Sequence, residues 1–107
     1  MGRRRATAPN HLEVARRAQR DLRQLDVRVV EGIEAALTPN PPAENLDVKA
    51  VQGRRPWLRL RLGDYRVLFR PLTVRECRDL EVERGYLIIA RVVDRRDLDR
   101  AIRTLSP

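Results

Sequence analysis

Residues Trp57–Arg70, WLRLRLGDYRVLFR, decide how the rest of the chain must fold. Leucine and arginine alternate strictly up to Leu62, Gly63-Asp64 supplies a two-residue turn, and the return run from Tyr65 is β-branched and aromatic; together they predict a β-hairpin. A turn of two residues sets the register: Leu62 opposes Tyr65, Arg61 opposes Arg66, Leu60 opposes Val67, Arg59 opposes Leu68, Leu58 opposes Phe69 and Trp57 opposes Arg70. One face then holds Leu58, Leu60, Leu62, Tyr65, Val67 and Phe69, fit for a core. The other collects Arg59, Arg61, Arg66 and Arg70 beside Trp57 and Leu68. Direct opposition of Arg61 and Arg66 destabilises a sheet. At roughly 7 Å the repulsion is about 0.5 to 2 kcal/mol, depending on how wet the face is, and an anion bound there would offset it.

The charge distribution points the same way. The 107 residues carry a formal charge of +8, with 22 arginines and a single lysine, Lys49. The codon composition of a GC-rich genome is one source of arginine over lysine and a polyanion-binding role is another, so the distribution says more than the total. Residues 1–47 have eight arginines against seven acids, whereas residues 48–107 have fifteen basic residues against eight acids. Between Val48 and Leu72, Lys49, Arg54, Arg55, Arg59, Arg61, Arg66 and Arg70 face Asp64 alone. A field so concentrated suits a polyanion, nucleic acid first, or an acidic protein segment covering the same surface.

Length and cysteine content bound the rest. One domain, 1–107, is expected, long enough to bury roughly two thirds of the surface its unfolded chain exposes and so needing neither disulfide nor metal. Cys77 has no internal partner, and no His or Cys cluster has metal-ligand spacing, so no metal or cofactor is expected. No apolar run approaches a membrane span, and the basic Gly2–Arg5 stretch is not followed by a secretory apolar segment. A cytoplasmic protein with no membrane partner is the expectation.

Along the chain, residues 1–9 are polar and arginine-rich and read as a flexible arm. From Asn10 the pattern predicts a helix, with Asn10 as N-cap, Glu13 three residues on, and Val14, Ala18, Leu22 and Leu25 at helical spacing. Arg16, Arg17, Arg20 and Arg23, with Glu13 and Asp21 interspersed, form its solvated face. His11 is a lone histidine beside a cap and has no catalytic role. Asp26 caps a second helix with Val30, Ile33 and Leu37 as its stripe, widened by Val29 and Ala36; the two helices are expected to form an antiparallel hairpin. Thr38–Pro42, TPNPP, ends it, and Ala43–Asp47 is a short connection. Val48–Val51 reads as a strand, and Gln52–Pro56 as a loop bringing Arg54 and Arg55 near the hairpin. Pro71–Gly85 fits a protruding ribbon or a loop. Tyr86–Val93, YLIIARVV, reads as a central strand buried on both faces. Leu98–Leu105 completes the pattern as a short helix with Leu98, Ile102 and Leu105 on one side. The order argues for an α+β domain: two N-terminal helices packed on one face of a small antiparallel β-sheet, a short C-terminal helix, and the other sheet face open.

An arginine face can hold a phosphate bidentately and stabilise the charge that develops when an RNA 2′-hydroxyl attacks its own phosphodiester. Arginine is a poor base, so proton transfer falls to another group, with Asp94, Asp99, Tyr65 and Lys49 as candidates. There is no Ser/His/Asp set, no paired His and Glu, and no glycine-rich phosphate loop. Trp57 could stack a base or lie partly in the core. Arg95 could enter the arginine cleft or pair with Asp97 or Asp99.

The chain resembles the RelE/ParE superfamily of bacterial type II toxins, most specifically in RLRLGDYRVLFR, and also in AQRDLRQL (18–25), Asn40-Pro41 and VVDRRDL (92–98). The resemblance implies a RelE-like fold and, in the RelE branch, a ribosome-dependent mRNA interferase that inhibits translation. It implies catalytic roles for Arg59, Arg61, Arg66 and Arg95; the charge concentrated on and before the hairpin makes Lys49, Arg54, Arg55 and Arg70, with Trp57 beside them, the expected RNA contacts. Implied partners are mRNA on the ribosome and an antitoxin with an acidic or amphipathic segment, in a toxin–antitoxin hetero-oligomer. Arginine stands where several members have lysine. Val93-Asp94 replaces the usual Gly-His, and Asp99 the usual tyrosine, so the customary proton-transfer groups are missing. Alternatives are a ParE-like gyrase inhibitor and a catalytically weak antitoxin- or RNA-binding module.

Overall fold

The computed structural model describes residues 9–39 and 45–105; the arm expected over 1–9, except for Pro9, and the Asn40-Pro41 segment lie outside them. The hairpin forms as expected. Strand β3 (Leu58–Leu62) pairs antiparallel with β4 (Tyr65–Arg70), and every partner from Leu58↔Phe69 to Leu62↔Tyr65 is the one the two-residue turn dictates. Gly63 supplies the positive φ, 61°, that the first position of such a turn demands.

Three further strands build on that pair. Strand β2 (Val48–Ala50) flanks β3 antiparallel, while β5 (Gly85–Asp94) flanks β4 antiparallel. A strand not expected from the sequence, β1 (His11–Val14), joins β5 in parallel, giving a five-stranded sheet in the order β1-β5-β4-β3-β2. The helix therefore does not begin at Asn10. Leu12 and Val14 alternate with His11 and Glu13; the first two pack against the core, and the second two pair at 2.9 Å. That alternation is a strand's period, and it outweighs the capping pattern. Asn10 is instead buried and caps the far end of the second helix, its Nδ2 donating to Pro39 O at 3.0 Å and to Leu37 O at 3.4 Å.

Helices α1 (Arg16–Arg23) and α2 (Val27–Leu37) pack on one sheet face. Ala18, wholly buried, lets α1 approach β5 closely, and Arg16, Arg17, Arg20 and Arg23 are exposed as expected. Asp26 caps α2, accepting from Arg28 N at 2.8 Å. Between the helices and the sheet, Ile33, Ala36 and Leu37 of α2 meet Leu60, Val67, Phe69 and Val92 of the strands. Asp21 was expected in solvent, yet its Oδ2 accepts the Val92 N–H at 3.0 Å and Arg91 Nε–H at 3.2 Å. It satisfies β5 where β1 has ended.

Pro71–Gly85 is neither ribbon nor loop throughout, for it contains helix α3 (Val74–Leu80). A capping box starts that helix: Glu76 N–H donates to Thr73 Oγ1 at 3.1 Å and Thr73 N–H to Glu76 Oε1 at 2.8 Å. After β5 a 3₁₀ turn, Arg95–Asp97, leads into α4 (Leu98–Ile102). This helix crosses to the other side of the sheet. Leu98, Ala101, Ile102 and Leu105 pack on Val51, Trp57, Leu68 and Val93, so the second face, expected to be open, is covered in part. Val92 and Val93 each enter a different core, as a strand buried on both faces requires. Among the described residues, no helix is long and apolar enough to cross a membrane.

Candidate functional site

The uncovered part of the second face is a cleft of about 90 Å³ lined by Lys49, Arg59, Arg61, Arg66 and Asp47. Strand pairing builds it. Lys49 opposes Arg59 across β2–β3, and Arg61 opposes Arg66 across β3–β4, so three adjacent strands aim four cations at one volume. Asp47 O accepts the Arg61 N–H at 2.9 Å, extending the ladder one residue beyond β2 and bringing the Asp47 side chain to the rim.

None of these four cations forms an ion pair with a carboxylate among the described residues. Arg66 is oriented, among the described residues, by backbone carbonyls, its Nη1 donating to Gly63 O at 3.0 Å and Tyr65 O at 2.9 Å. Neutral carbonyls fix a guanidinium without cancelling its charge. A cleft of this charge and size can take one phosphate-sized anion, because guanidinium forks match phosphate oxygens.

Other residues expected at the site are placed elsewhere. Arg70 has a partner: its Nη1 and Nη2 donate to Glu76 Oε1 and Oε2 at 2.8 and 2.9 Å, and its guanidinium lies 5.6 Å from the Trp57 ring centroid. The Arg70 hydrogen bonds, followed by that from the Thr73 N–H, hold the Glu76 carboxyl down at about 2. Trp57 is 6 % exposed, inside the second core, so base stacking on its ring is excluded in this arrangement. Arg54 and Arg55 are on the β2–β3 loop, where Trp57 N–H donates to Arg54 O at 2.8 Å; neither side chain lines the cleft. Arg95 is exposed, and its N–H donates to Asp64 O at 2.8 Å, which ties its backbone to the hairpin turn. Its guanidinium neither lines the cleft nor pairs with Asp97 or Asp99.

Asp94 caps the 3₁₀ turn, accepting from Arg96 N–H at 2.9 Å and Arg96 Nε–H at 3.2 Å. The backbone donor first, then the guanidinium, holds its carboxyl below the usual aspartate range. A larger cavity, about 340 Å³, opens along the free edge of β5 among Asp21, Tyr65, Arg91, Asp94, Asp97 and Arg100. Its carboxylates and guanidiniums largely cancel, so size does not make it the anion site. Asp47 is the residue that sequence reasoning passed over. The available signal was its spacing two residues before Lys49, which puts both on one side of an extended chain.

No protein-family model matches the chain, and no curated protein sequence matches it. Among solved structures it is similar to a chain of the RelB–RelE antitoxin–toxin complex from Methanococcus jannaschii, with a TM-score of 0.60 at 18 % identity over 82 % of this chain and 95 % of that one. At that identity the likeness establishes a shared fold.

Proposed function

We propose that this chain is the toxin of a type II toxin–antitoxin pair and acts as a RelE-type, ribosome-dependent mRNA interferase in the cytoplasm. The observation that carries the reading is the cleft in which Lys49, Arg59, Arg61 and Arg66 converge without a carboxylate partner among the described residues. Arginines in such a cleft grip the non-bridging oxygens of the scissile phosphate and stabilise the charge that builds as the neighbouring 2′-oxygen attacks. Arg95, tied to the hairpin turn by its backbone, would reach the same phosphate by a side-chain swing. Arg54 and Arg55 extend the positive field along the RNA, whereas the charge of Arg70 is taken up by Glu76. An antitoxin with an acidic or amphipathic segment, bound in a hetero-oligomer, would silence the protein by filling the same cleft.

The test is primer extension on mRNA in a translation extract. The wild type should give discrete breaks that Arg61→Ala and Arg66→Ala weaken by about 100-fold each, a typical loss for one transition-state charge contact. Intact transcripts at all concentrations would overturn the nuclease reading. A second reading, ParE-like gyrase inhibition, is favoured by one feature: Asp99, exposed on α4, stands where the resemblance calls for tyrosine. Cleaved DNA trapped in a supercoiling assay, with mRNA untouched, would select it.

A further inference from the structure

We infer that the edge strand β2 and the residue just before it supply the proton-transfer pair of this cleft, with Asp47 as general base and Lys49 as general acid; the inference rests on the nuclease reading above. Two observations lead to it. Of 23 basic residues only one is lysine, and that one lines the cleft opposite Arg59. Arginine would supply charge there equally well. What lysine adds is a proton that can leave, since a guanidinium stays protonated under all working conditions. The second observation is that the cleft contains a carboxylate at all. Asp47 borders four cations yet lies within salt-bridge distance of none, while its backbone is fixed by the 2.9 Å bond from Arg61 N–H. It is held beside the cations without being consumed by them, and a carboxylate so placed accepts a hydroxyl proton.

The step balances within the cleft. Asp47 takes the proton of the attacking 2′-hydroxyl as the 2′-oxygen bonds to phosphorus. The bond from phosphorus to the 5′-oxygen breaks, and the leaving oxygen takes a proton from the Lys49 ammonium. Products are a 2′,3′-cyclic phosphate and a 5′-hydroxyl, with one proton moved from Lys49 to the leaving group and one gained by Asp47. Exchange with water returns both groups to their starting states. Arg59, Arg61 and Arg66 carry the phosphate charge throughout and exchange no proton. Placed this way, the acid stands on β2 and the base immediately before it, and neither needs the histidine or the tyrosine that the C-terminal segment lacks.

The test uses the full chain on ribosomes programmed with mRNA, comparing wild type, Asp47→Asn and Lys49→Arg. Both side chains are exposed, and equal urea midpoints check that folding is intact. Each variant should bind single-stranded RNA within about threefold of wild type yet cleave at least about 100-fold more slowly, the scale of general acid–base catalysis. An mRNA with sulfur in place of the 5′-oxygen at the cleavage site separates the two roles, because a thiolate leaves without a proton. It should restore Lys49→Arg to near the wild-type rate and leave Asp47→Asn slow. Variants that cleave at the wild-type rate, or a sulfur substrate that fails to rescue Lys49→Arg, would overturn the assignment while the nuclease reading stood. A wild type that cleaves no mRNA would overturn both.

Discussion

Arg61 and Arg66 face each other directly across the β3–β4 hairpin, and among the described residues neither is relieved by a carboxylate. Like charges in that position oppose folding. Replacing Arg61 by threonine, a better strand former, should therefore raise stability by about 0.5–1 kcal/mol at low salt. In 1 M salt, where the screening length is about 3 Å, the gain should shrink toward zero. Urea denaturation at both ionic strengths reads the effect. A loss of stability at low salt would mean that the pair is relieved by something other than a bound anion.

The Arg70–Glu76 pair ties α3 to the end of β4 and makes stability depend on acid. The Glu76 carboxyl is lowered in the folded chain from about 4.5 to about 2. A depressed carboxyl contributes stability that is fully present above its unfolded value and is lost as pH falls through its folded one. Wild type should thus exceed Glu76→Gln by about 1 kcal/mol at pH 7, a figure discounted for solvent screening of a partly exposed pair. The difference should fade between about pH 4.5 and pH 2. Chemical denaturation of both proteins across that range provides the comparison; a gap that survived at pH 2 would show that the ion pair is not its source.

Asp21 should matter well beyond its place on a charged helix. Removing its carboxylate strands the Val92 N–H at the edge of β5 and releases Arg91. An unsatisfied, half-buried donor costs about 1–3 kcal/mol. Asp21→Ala should fall in that range, and Asp21→Asn, which keeps an acceptor oxygen, should cost less. Hydrogen exchange at Val92 gives the local readout: the amide should lose protection in Asp21→Ala. Unchanged protection would mean that water replaces the carboxylate without cost.

The hairpin and its register were legible because a two-residue turn and a strict period of two leave a single way to pair. The stripe on α4 was legible too, but the sheet face it would cover was not, since a helix stripe records that a partner exists and nothing of its location. Helix α3 was not read because its apolar points, Val74, Cys77 and Leu80, are too few among charged residues to mark a buried stripe, and none of the three is fully buried; the firmest mark is the Thr73–Glu76 capping box. Strand β1 was read as helix because four alternating residues run straight into a true helix. At the site, Lys49, Arg59, Arg61 and Arg66 were readable from strand alternation. Arg70 and Trp57 were not, because their environments depend on Glu76 of α3 and on α4, two neighbours that pairing rules do not reach.

The proposed docking of an RNA phosphate in the cation cleft is tested most directly by the salt dependence of RNA binding. For single strands the slope of log affinity against log salt is about −0.7 per phosphate neutralised. Four cleft cations and a short single-stranded RNA should give a wild-type slope of about −3. The double variant Arg61→Ala/Arg66→Ala should flatten it by about 1.4 and weaken binding at least tenfold at low salt, while Arg54→Ala/Arg55→Ala on the neighbouring loop should alter it far less. Equal losses from the two double variants, or a slope unmoved by the cleft pair, would contradict the account.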